Sequence, residues 1–114
     1  MKEYGKRVWI FPDAELPPEG VNVIPGHESI ILTNVTDETA NVTITLLYED
    51  REPVSFPVTV GARRTNHASD FGEHTAVIGE QYAIMLESSC PIVAQYGRAE
   101  TREVAFYTTP GYCE

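Results

Sequence analysis

The clearest structural signal in the chain is a period of two on either side of a short charged segment. Large apolar side chains occupy every second position between residues 42 and 48, and the alternation returns between residues 54 and 60. Successive side chains of a β-strand point to opposite faces, so each segment predicts a strand with one buried face. The charged residues 49–53 predict the hairpin turn between them. Pro57 lacks a backbone donor, which predicts that the second strand lies at an edge or carries a bulge.

Further strands are predicted by short runs of β-branched and aromatic residues. These runs cover residues 8–11, 27–35, 82–86, 91–98 and 100–106. The first strand is expected to stop at Pro12, before a proline-rich loop over residues 12–26 that serves either a function or a crossover between sheets. Residues 70–80 allow at most one helical turn, and residues 108–114 are expected to form a tail.

About seven to eight short strands, with turn signals at intervals of roughly 8–12 residues, are typical of an antiparallel sandwich or barrel. The sequence therefore predicts an all-β fold, an antiparallel β-sandwich. At 114 residues the chain is long enough for one core, so residues 1–114 are expected to form a single domain.

The charge balance restricts the partners that the chain is expected to bind. It has 8 Lys and Arg residues against 17 Asp and Glu residues, a formal net charge of −9. No strong nucleic-acid binding is expected, because phosphate binding needs a positive face and no more than two cations are adjacent. The sequence shows neither a signal peptide nor a membrane span, which predicts a cytoplasmic protein.

Cys90 and Cys113 fit neither a metal spacing nor a C-x-x-C pair. We expect free thiols, one partly buried and one near a loose C-terminus, although a single disulfide between them stays open. Asn34 and Asn41 begin N-x-T sequons, which we interpret as strand-end and turn residues.

The first candidate site combines Arg63, Arg64 and His67, because two of the few cations in an acidic chain stand side by side there. On a regular strand Arg63 and His67 would share one face, and Arg64 would point to the other. The alternative is a solvated surface on which these arginines pair with glutamates, worth about 0–1 kcal/mol for each pair.

Three further groups are candidates, each with a structural alternative. His27 beside Glu28 suits metal binding or acid–base chemistry, although a structural role is favoured. Gln95 and Arg98 end an apolar strand, where a buried arginine needs a carboxylate or a ligand. Trp9 is the only tryptophan, and its ring suits either stacking on a sugar or packing in the core.

The chain contains no nucleophile elbow, phosphate-binding loop or dinucleotide fingerprint, and its three histidines show no zinc spacing. We therefore predict no cofactor, no metal and no catalytic residue. The residues favour a binding module over an enzyme.

Several segments together resemble the sensory rhodopsin transducer family, over about residues 8–106. The most specific are Arg-Arg-Thr-x-His at residues 63–67 and Pro-Ile-Val-x-Gln-x-x-Arg at residues 91–98. The family's Glu-Gly-x-Ile-Pro pattern is replaced here by residues 13–17, which lack the glycine, so the loop is expected to turn differently. The resemblance implies a β-sandwich, a homotetramer, and a soluble signalling or ligand-binding role. Sugar binding is the role suggested for relatives without a rhodopsin.

Two functions follow as hypotheses. The first is a cytosolic module that binds a small polar ligand, a sugar or sugar derivative. Its expected site consists of Arg63, Arg64, His67, Arg98, His27, Glu28, Gln95 and Trp9. The second is an adaptor that couples a membrane receptor, such as a sensory rhodopsin, to downstream signalling. An enzyme acting on a sugar through His67, or through His27 with Glu28, is a weaker third hypothesis.

Overall fold

The computed structural model describes residues 4–15, 27–68, 81–100, 105–109 and 111–114. These residues form eight β-strands, all of them paired antiparallel, and no helix. The strands are β1 (Lys6–Glu15), β2 (His27–Asn34), β3 (Ala40–Leu47), β4 (Val54–Val60), β5 (Arg64–Ala68), β6 (Gln81–Glu100), β7 (Ala105–Thr109) and β8 (Tyr112–Cys113). The predicted all-β fold is confirmed.

Strand β6 is 20 residues long and organises the other strands. Residues 81–88 pair with β1 and β3, and Ile92 pairs with Lys6 at the start of β1, whereas residues 93–100 pair with β2 and β7. Strand β4 extends the first section beyond β3, β8 extends it beyond β1, and β5 extends the second section beyond β2. One strand therefore belongs to both sections of the fold.

The prediction of two separate strands, at residues 82–86 and 91–98, was wrong, because both are parts of β6. Pro91 suggested a break. It lies between Ser88, the last residue paired with β3, and Val93, the last residue paired with β2 at this end. The ladder with β1 passes from Val8 opposite Glu87 to Lys6 opposite Ile92, so Pro91 lies in an irregularity, where a residue without an amide hydrogen is tolerated.

The two sections pack their apolar faces into one core, which makes the predicted sandwich. The alternation in β3 is confirmed, since Val42, Ile44 and Leu46 are buried while the residues between them are more exposed. Ile30 and Leu32 of β2 belong to the same core cluster. Burying an aliphatic side chain of this size contributes about 1.5–3 kcal/mol, so this shared core stabilises the fold.

The structure confirms that Pro57 lies in an edge strand. Among the described strands β4 pairs with β3 alone, and Pro57 is exposed opposite Thr43. A proline at an edge removes a donor that would otherwise invite pairing with another chain.

Strand β1 does not stop at Pro12 as predicted but continues to Glu15. Its pairing with β6 shifts between Phe11 and Ala14, so that Pro12 and Asp13 lie in an irregularity with one extra residue. A bulge accommodates a proline that a regular ladder would exclude.

The predicted tail is also a strand in part, because Tyr112 and Cys113 pair with β1 as β8. Gly111 lets the chain approach β1, since a Cβ atom there would clash with Ile10 and Phe11. Cys113 is therefore half-buried rather than loose, and Cys90 is buried; both thiols are free, as expected.

Part of the last predicted strand, residues 100–106, lies outside the described residues, as do most of the predicted loop and all of the predicted turn at residues 70–80. The described residues contain no helix of the length and hydrophobicity needed to cross a membrane.

Candidate functional site

A carboxyl group lies inside the sandwich near the start of β2. The alternation of β2 places Glu28 on the same inner face as Ile30, and the side chain has no exposed surface. The Tyr82 hydroxyl donates to Glu28 Oε1, and the Tyr96 hydroxyl donates to Oε2 at 2.6 Å. Both carboxyl oxygens therefore have the hydrogen-bond donors that a buried polar group requires.

Arg98 lies directly opposite Glu28 in the ladder between β2 and β6. Opposed residues on antiparallel strands point to the same face, so the ladder brings this arginine to the inner side with Tyr96. The Nη1 atom of Arg98 is out of contact with solvent. Of the residues predicted from sequence to form a site, Glu28 and Arg98 are brought together.

Burial raises the pKa of the Tyr82 hydroxyl well above its ordinary value of 10.0, and Glu28 raises it further through its charge and its hydrogen bond. The phenol therefore stays protonated at neutral pH. Tyr82 is suited to hold the carboxyl group as a donor, not to act as a base.

Tyr82 also lines an open cleft of about 340 Å³ at the same end of the fold. We call it the Tyr48–Tyr82 cleft; its lining includes Pro12, Asp13, Tyr48, Glu49, Gln81 and Tyr82. The two tyrosine rings lie 6.0 Å apart between centroids and are tilted by 36°.

Polar groups surround these rings. Asp13 and Glu49 are exposed carboxylates, and Gln81 Nε2 lies 3.5 Å from Asp13 Oδ1. The bulge in β1 places Asp13 at the cleft, and the turn after β3 places Glu49 there. The cleft therefore offers the half-exposed Tyr48 ring beside hydrogen-bond acceptors, while the Tyr82 ring is buried.

The turn between β3 and β4 borders this cleft. Its three acidic residues, Glu49, Asp50 and Glu52, are exposed. Arg51 lies over the Tyr48 ring, with its guanidinium carbon 4.2 Å from the ring centroid, and Arg51 Nη1 is 3.6 Å from Asp50 Oδ1. A guanidinium group is thus already held there by a ring face and a carboxylate.

The arginine pair is far from this end. Arg64 lies opposite Asn34, which is six residues along β2 from Glu28, and a strand of that length spans about 20 Å. Arg63 lies in the preceding turn at a φ of 53°, so the regular strand on which it would share a face with His67 does not include it. Its Nε atom donates to Asp37 Oδ1 at 2.8 Å.

Asn34, the last residue of β2, is buried, and its side chain connects the chain segments at this end of the strand. Its Nδ2 atom donates to the carbonyls of Glu38 at 2.7 Å and of Val60 and Gly61 at 3.2 Å. Its Oδ1 atom accepts from the amide of Thr36 at 3.0 Å and from the Thr36 hydroxyl at 2.7 Å. The interpretation of Asn34 as a strand-end residue is confirmed, because it is the last residue of β2 and its side-chain amide is hydrogen-bonded to the turn that follows.

His67 and Gln95 lie on the outer face of the second section. Both are directly opposite Ile31, one in β5 and the other in β6, and both side chains are exposed. They form one row across three strands and do not share a side of the sheet with Glu28. The His27 side chain lies outside the described parts of the structure.

Trp9 packs against the core. Its ring is stacked on Phe11, with centroids 6.3 Å apart and planes at 9°, and it contacts the buried cluster. Its Nε1 atom donates to the carbonyls of Lys6 at 3.1 Å and Ile92 at 3.2 Å. The side chain therefore contributes to the packing of β1 against β6.

A second open depression, of about 350 Å³, lies beside the first residues of β1. The amides of Arg7 and Val8, which line it, donate to the carbonyl of Glu114 at 3.0 and 2.7 Å. Arg7 also donates from Nη1 to the carbonyl of Ser89. These bonds join the chain end to β1, so we assign this depression a structural role.

Sequence reasoning missed Asp13, Tyr48, Gln81 and Tyr82 as members of the site. For Tyr82 a signal existed, because a period of two places it on the same face as Ile84. Within the described residues, no three His, Cys, Asp or Glu side chains are grouped so that they could hold a metal ion.

The fold and the cleft define a small antiparallel sandwich with a polar opening, lined in part by the Tyr48 ring, at one end. The family profile described as Anabaena sensory rhodopsin transducer matches residues 4–113. The chain therefore belongs to the Anabaena sensory rhodopsin transducer family.

Two solved structures show the same relationship. The crystal structure of Thermotoga maritima 1070 is 34% identical, with a TM-score of 0.87, over 96% of each chain. The Anabaena sensory rhodopsin transducer is 33% identical, with a TM-score of 0.75, over 89% of this chain and 94% of its own. A comparison with curated proteins gave no match.

Proposed function

We propose that this chain is a signalling adaptor that docks on the cytosolic face of a membrane receptor of the sensory rhodopsin kind. The observation that carries the proposal is the family match across residues 4–113. The likeness to the Anabaena sensory rhodopsin transducer, at 33% identity, supports the same role.

Electrostatics supports docking of this kind. Cytoplasmic loops of membrane proteins are enriched in Lys and Arg, while this chain carries a net charge of −9. The exposed acidic turn at residues 49–52 offers a local surface for such a loop. Opposite charges on two partners accelerate their encounter and select their orientation.

The test uses a sensory rhodopsin from Anabaena in lipid nanodiscs, with empty nanodiscs as the blank. We expect saturable binding that weakens as salt rises from about 0.05 to 0.3 M, because screening reduces attraction between charges. The triple variant Glu49→Gln, Asp50→Asn, Glu52→Gln is expected to bind more weakly. The matched control, Asp37→Asn with Glu38→Gln and Glu87→Gln, neutralises three exposed acids elsewhere and is expected to bind like the unmodified chain.

Absence of binding to the receptor at low salt would contradict the adaptor proposal. Equal losses in the triple variant and the control would show that the acidic turn has no special part in docking.

A second candidate function is binding of a small hydroxyl-rich ligand such as a sugar. The observation that favours it is the Tyr48–Tyr82 cleft, which is lined by the half-exposed Tyr48 ring, the Gln81 amide and the Asp13 carboxylate. The predicted cationic set of Arg63, Arg64 and His67 stays a separate proposal for anionic sugars. A thermal-shift screen separates these ideas, because a ligand at a hundredfold excess over Kd stabilises by about 2.7 kcal/mol.

In that screen, a shift with neutral sugars that Gln81→Ala removes would support the cleft. A shift with sugar acids that Arg64→Ala removes would support the cationic set, and a flat response would exclude the tested sugars. We also propose, from the family resemblance, that the chain is a homotetramer; light scattering at four times the 12.7 kDa chain mass would support this.

A further inference from the structure

We infer that the Tyr48–Tyr82 cleft is a socket for one arginine side chain presented by the docking partner. This inference rests on the adaptor function proposed above and adds the chemistry of its anchor. Three properties of the cleft carry it: its charge, the half-exposed Tyr48 ring and its size.

The charge around the cleft favours a cation. Asp13 and Glu49 line it, and Asp50 and Glu52 project from the adjoining turn. Among the described residues of the lining and this turn, Arg51 is the single cation. An incoming carboxylate or phosphate would meet like charges, whereas a guanidinium would meet carboxylate acceptors.

The chain itself shows that a guanidinium fits against these groups. Arg51 lies 4.2 Å from the centroid of the Tyr48 ring and 3.6 Å from the Asp50 carboxylate. A partner's arginine would find a similar combination in the cleft, whose lining includes the half-exposed Tyr48 ring and the Asp13 carboxylate. The Gln81 amide lies 3.5 Å from Asp13, beyond the usual hydrogen-bond length, so this carboxylate can accept a stronger donor.

The cleft volume of about 340 Å³ is at the lower end of the range for small-ligand sites. It therefore suits one long side chain better than a peptide segment. Arginine fits better than lysine, because its planar guanidinium stacks on rings and binds carboxylates through two parallel hydrogen bonds.

The test uses a blocked Gly-Ser-Arg-Ser-Gly peptide and follows the backbone amide resonances of the protein by nuclear magnetic resonance. We expect saturable shifts centred on Tyr48, Gln81 and Ala83. A peptide with citrulline in place of arginine keeps the shape without the charge, and its affinity is expected to be at least about fivefold lower. The lysine peptide is expected to lie between them.

The decisive variant is Asp13→Asn with Glu49→Gln. Both side chains are exposed, so the fold is expected to persist, and arginine-peptide affinity is expected to fall at least about fivefold. The matched control, Asp37→Asn with Glu38→Gln, removes the same charge from the opposite end and is expected to leave affinity unchanged.

Several results would overturn the socket. Equal affinity for the citrulline and arginine peptides would exclude charge recognition, and shifts centred elsewhere would exclude this cleft. Neutral sugars that move these resonances while the arginine peptide does not would assign the cleft to sugar instead.

The receptor assay separates failure of the socket from failure of the adaptor. Receptor binding that is insensitive to Asp13→Asn with Glu49→Gln would refute the socket and leave the adaptor standing. Arginine-peptide binding in the cleft without receptor binding would refute the proposed receptor and support the socket.

Discussion

The two ends of β2, about 20 Å apart along the strand, differ in where their charged side chains lie. One end buries its charged side chain, and the other exposes its charged side chains to solvent. At the first end, Glu28 is buried and its oxygens accept from Tyr82 and Tyr96. At the second end, Arg63 pairs with Asp37 in the open, with 69% and 82% of their side-chain surfaces exposed. The buried polar group at the second end is a neutral amide, Asn34.

This difference shows where polar groups fix the structure. A buried group that loses its partner costs its full desolvation, whereas an exposed ion pair exchanges its partner for water at little cost. We therefore expect the carboxyl group and the amide to control stability, and the adjacent arginines to contribute little.

The largest effect is expected from Glu28→Ala, which removes the acceptor of two buried hydroxyl groups. We expect the free energy of unfolding to fall by about 3–5 kcal/mol. Urea denaturation, followed by Trp9 fluorescence, would measure it. The control Glu87→Ala removes an exposed glutamate from β6 and is expected to cost less than about 0.5 kcal/mol. Equal costs would show that the buried carboxyl group is not a stabilising centre.

Asn34→Ala tests the other end of the strand. The carbonyls of Glu38, Val60 and Gly61 lose their shared donor, so we expect a loss of about 2–3 kcal/mol. Asn41→Ala, on the exposed face of β3, is the matched control and is expected to change stability little. A loss no greater than that of the control would contradict the role of Asn34 in holding the turn.

Tyr82→Phe removes one of the two hydroxyl groups that donate to the buried carboxyl group. We expect the free energy of unfolding to fall by about 1–3 kcal/mol at neutral pH. Because the pKa of Tyr82 is raised in the folded protein, its contribution is complete below about pH 10 and is lost as pH rises further. Stability measured between about pH 8 and pH 11 should fall less steeply in Tyr82→Phe than in the unmodified chain. Tyr4→Phe, at an exposed site, should keep the steep fall; identical slopes in all three proteins would refute the assignment.

The smallest effect is expected from Arg63→Ala, with a loss below about 1 kcal/mol that shrinks as salt is added. Arg63→Gly removes the same ion pair but suits a φ of 53° better, so it should be at least as stable as the alanine variant. A loss above about 2 kcal/mol, twice the usual upper value for a surface ion pair, would show that the exposed pair is more than a surface contact.

Much of the fold was predictable from the sequence because alternation is a local signal. It located β3 and β4, and the edge position of Pro57 followed from its missing donor. The continuity of β6 through Pro91 was not predictable, because it depends on which strands lie beside that residue. The bulge at Pro12 has the same cause, since only the pairing with β6 shows that the strand continues.

The candidate site was less predictable than the fold. Glu28 and Arg98 were both singled out, but their opposition depends on the register between β2 and β6. Clustering of cations in the sequence drew attention to Arg63 and Arg64, although adjacency along the chain does not imply a shared cleft. Asp13, Tyr48 and Gln81 come from three strands or their ends, and no local pattern connects them.

The length of β6 also has a consequence for how the chain folds. Its partners extend from the first residues of β1 to the last residues of β7, so most of its ladders join distant parts of the sequence. Closing such large loops before any contact forms makes folding slow compared with that of a helical protein of this size. Because both sections share this strand, neither can open fully without disturbing the other, and we expect the domain to unfold as one cooperative unit.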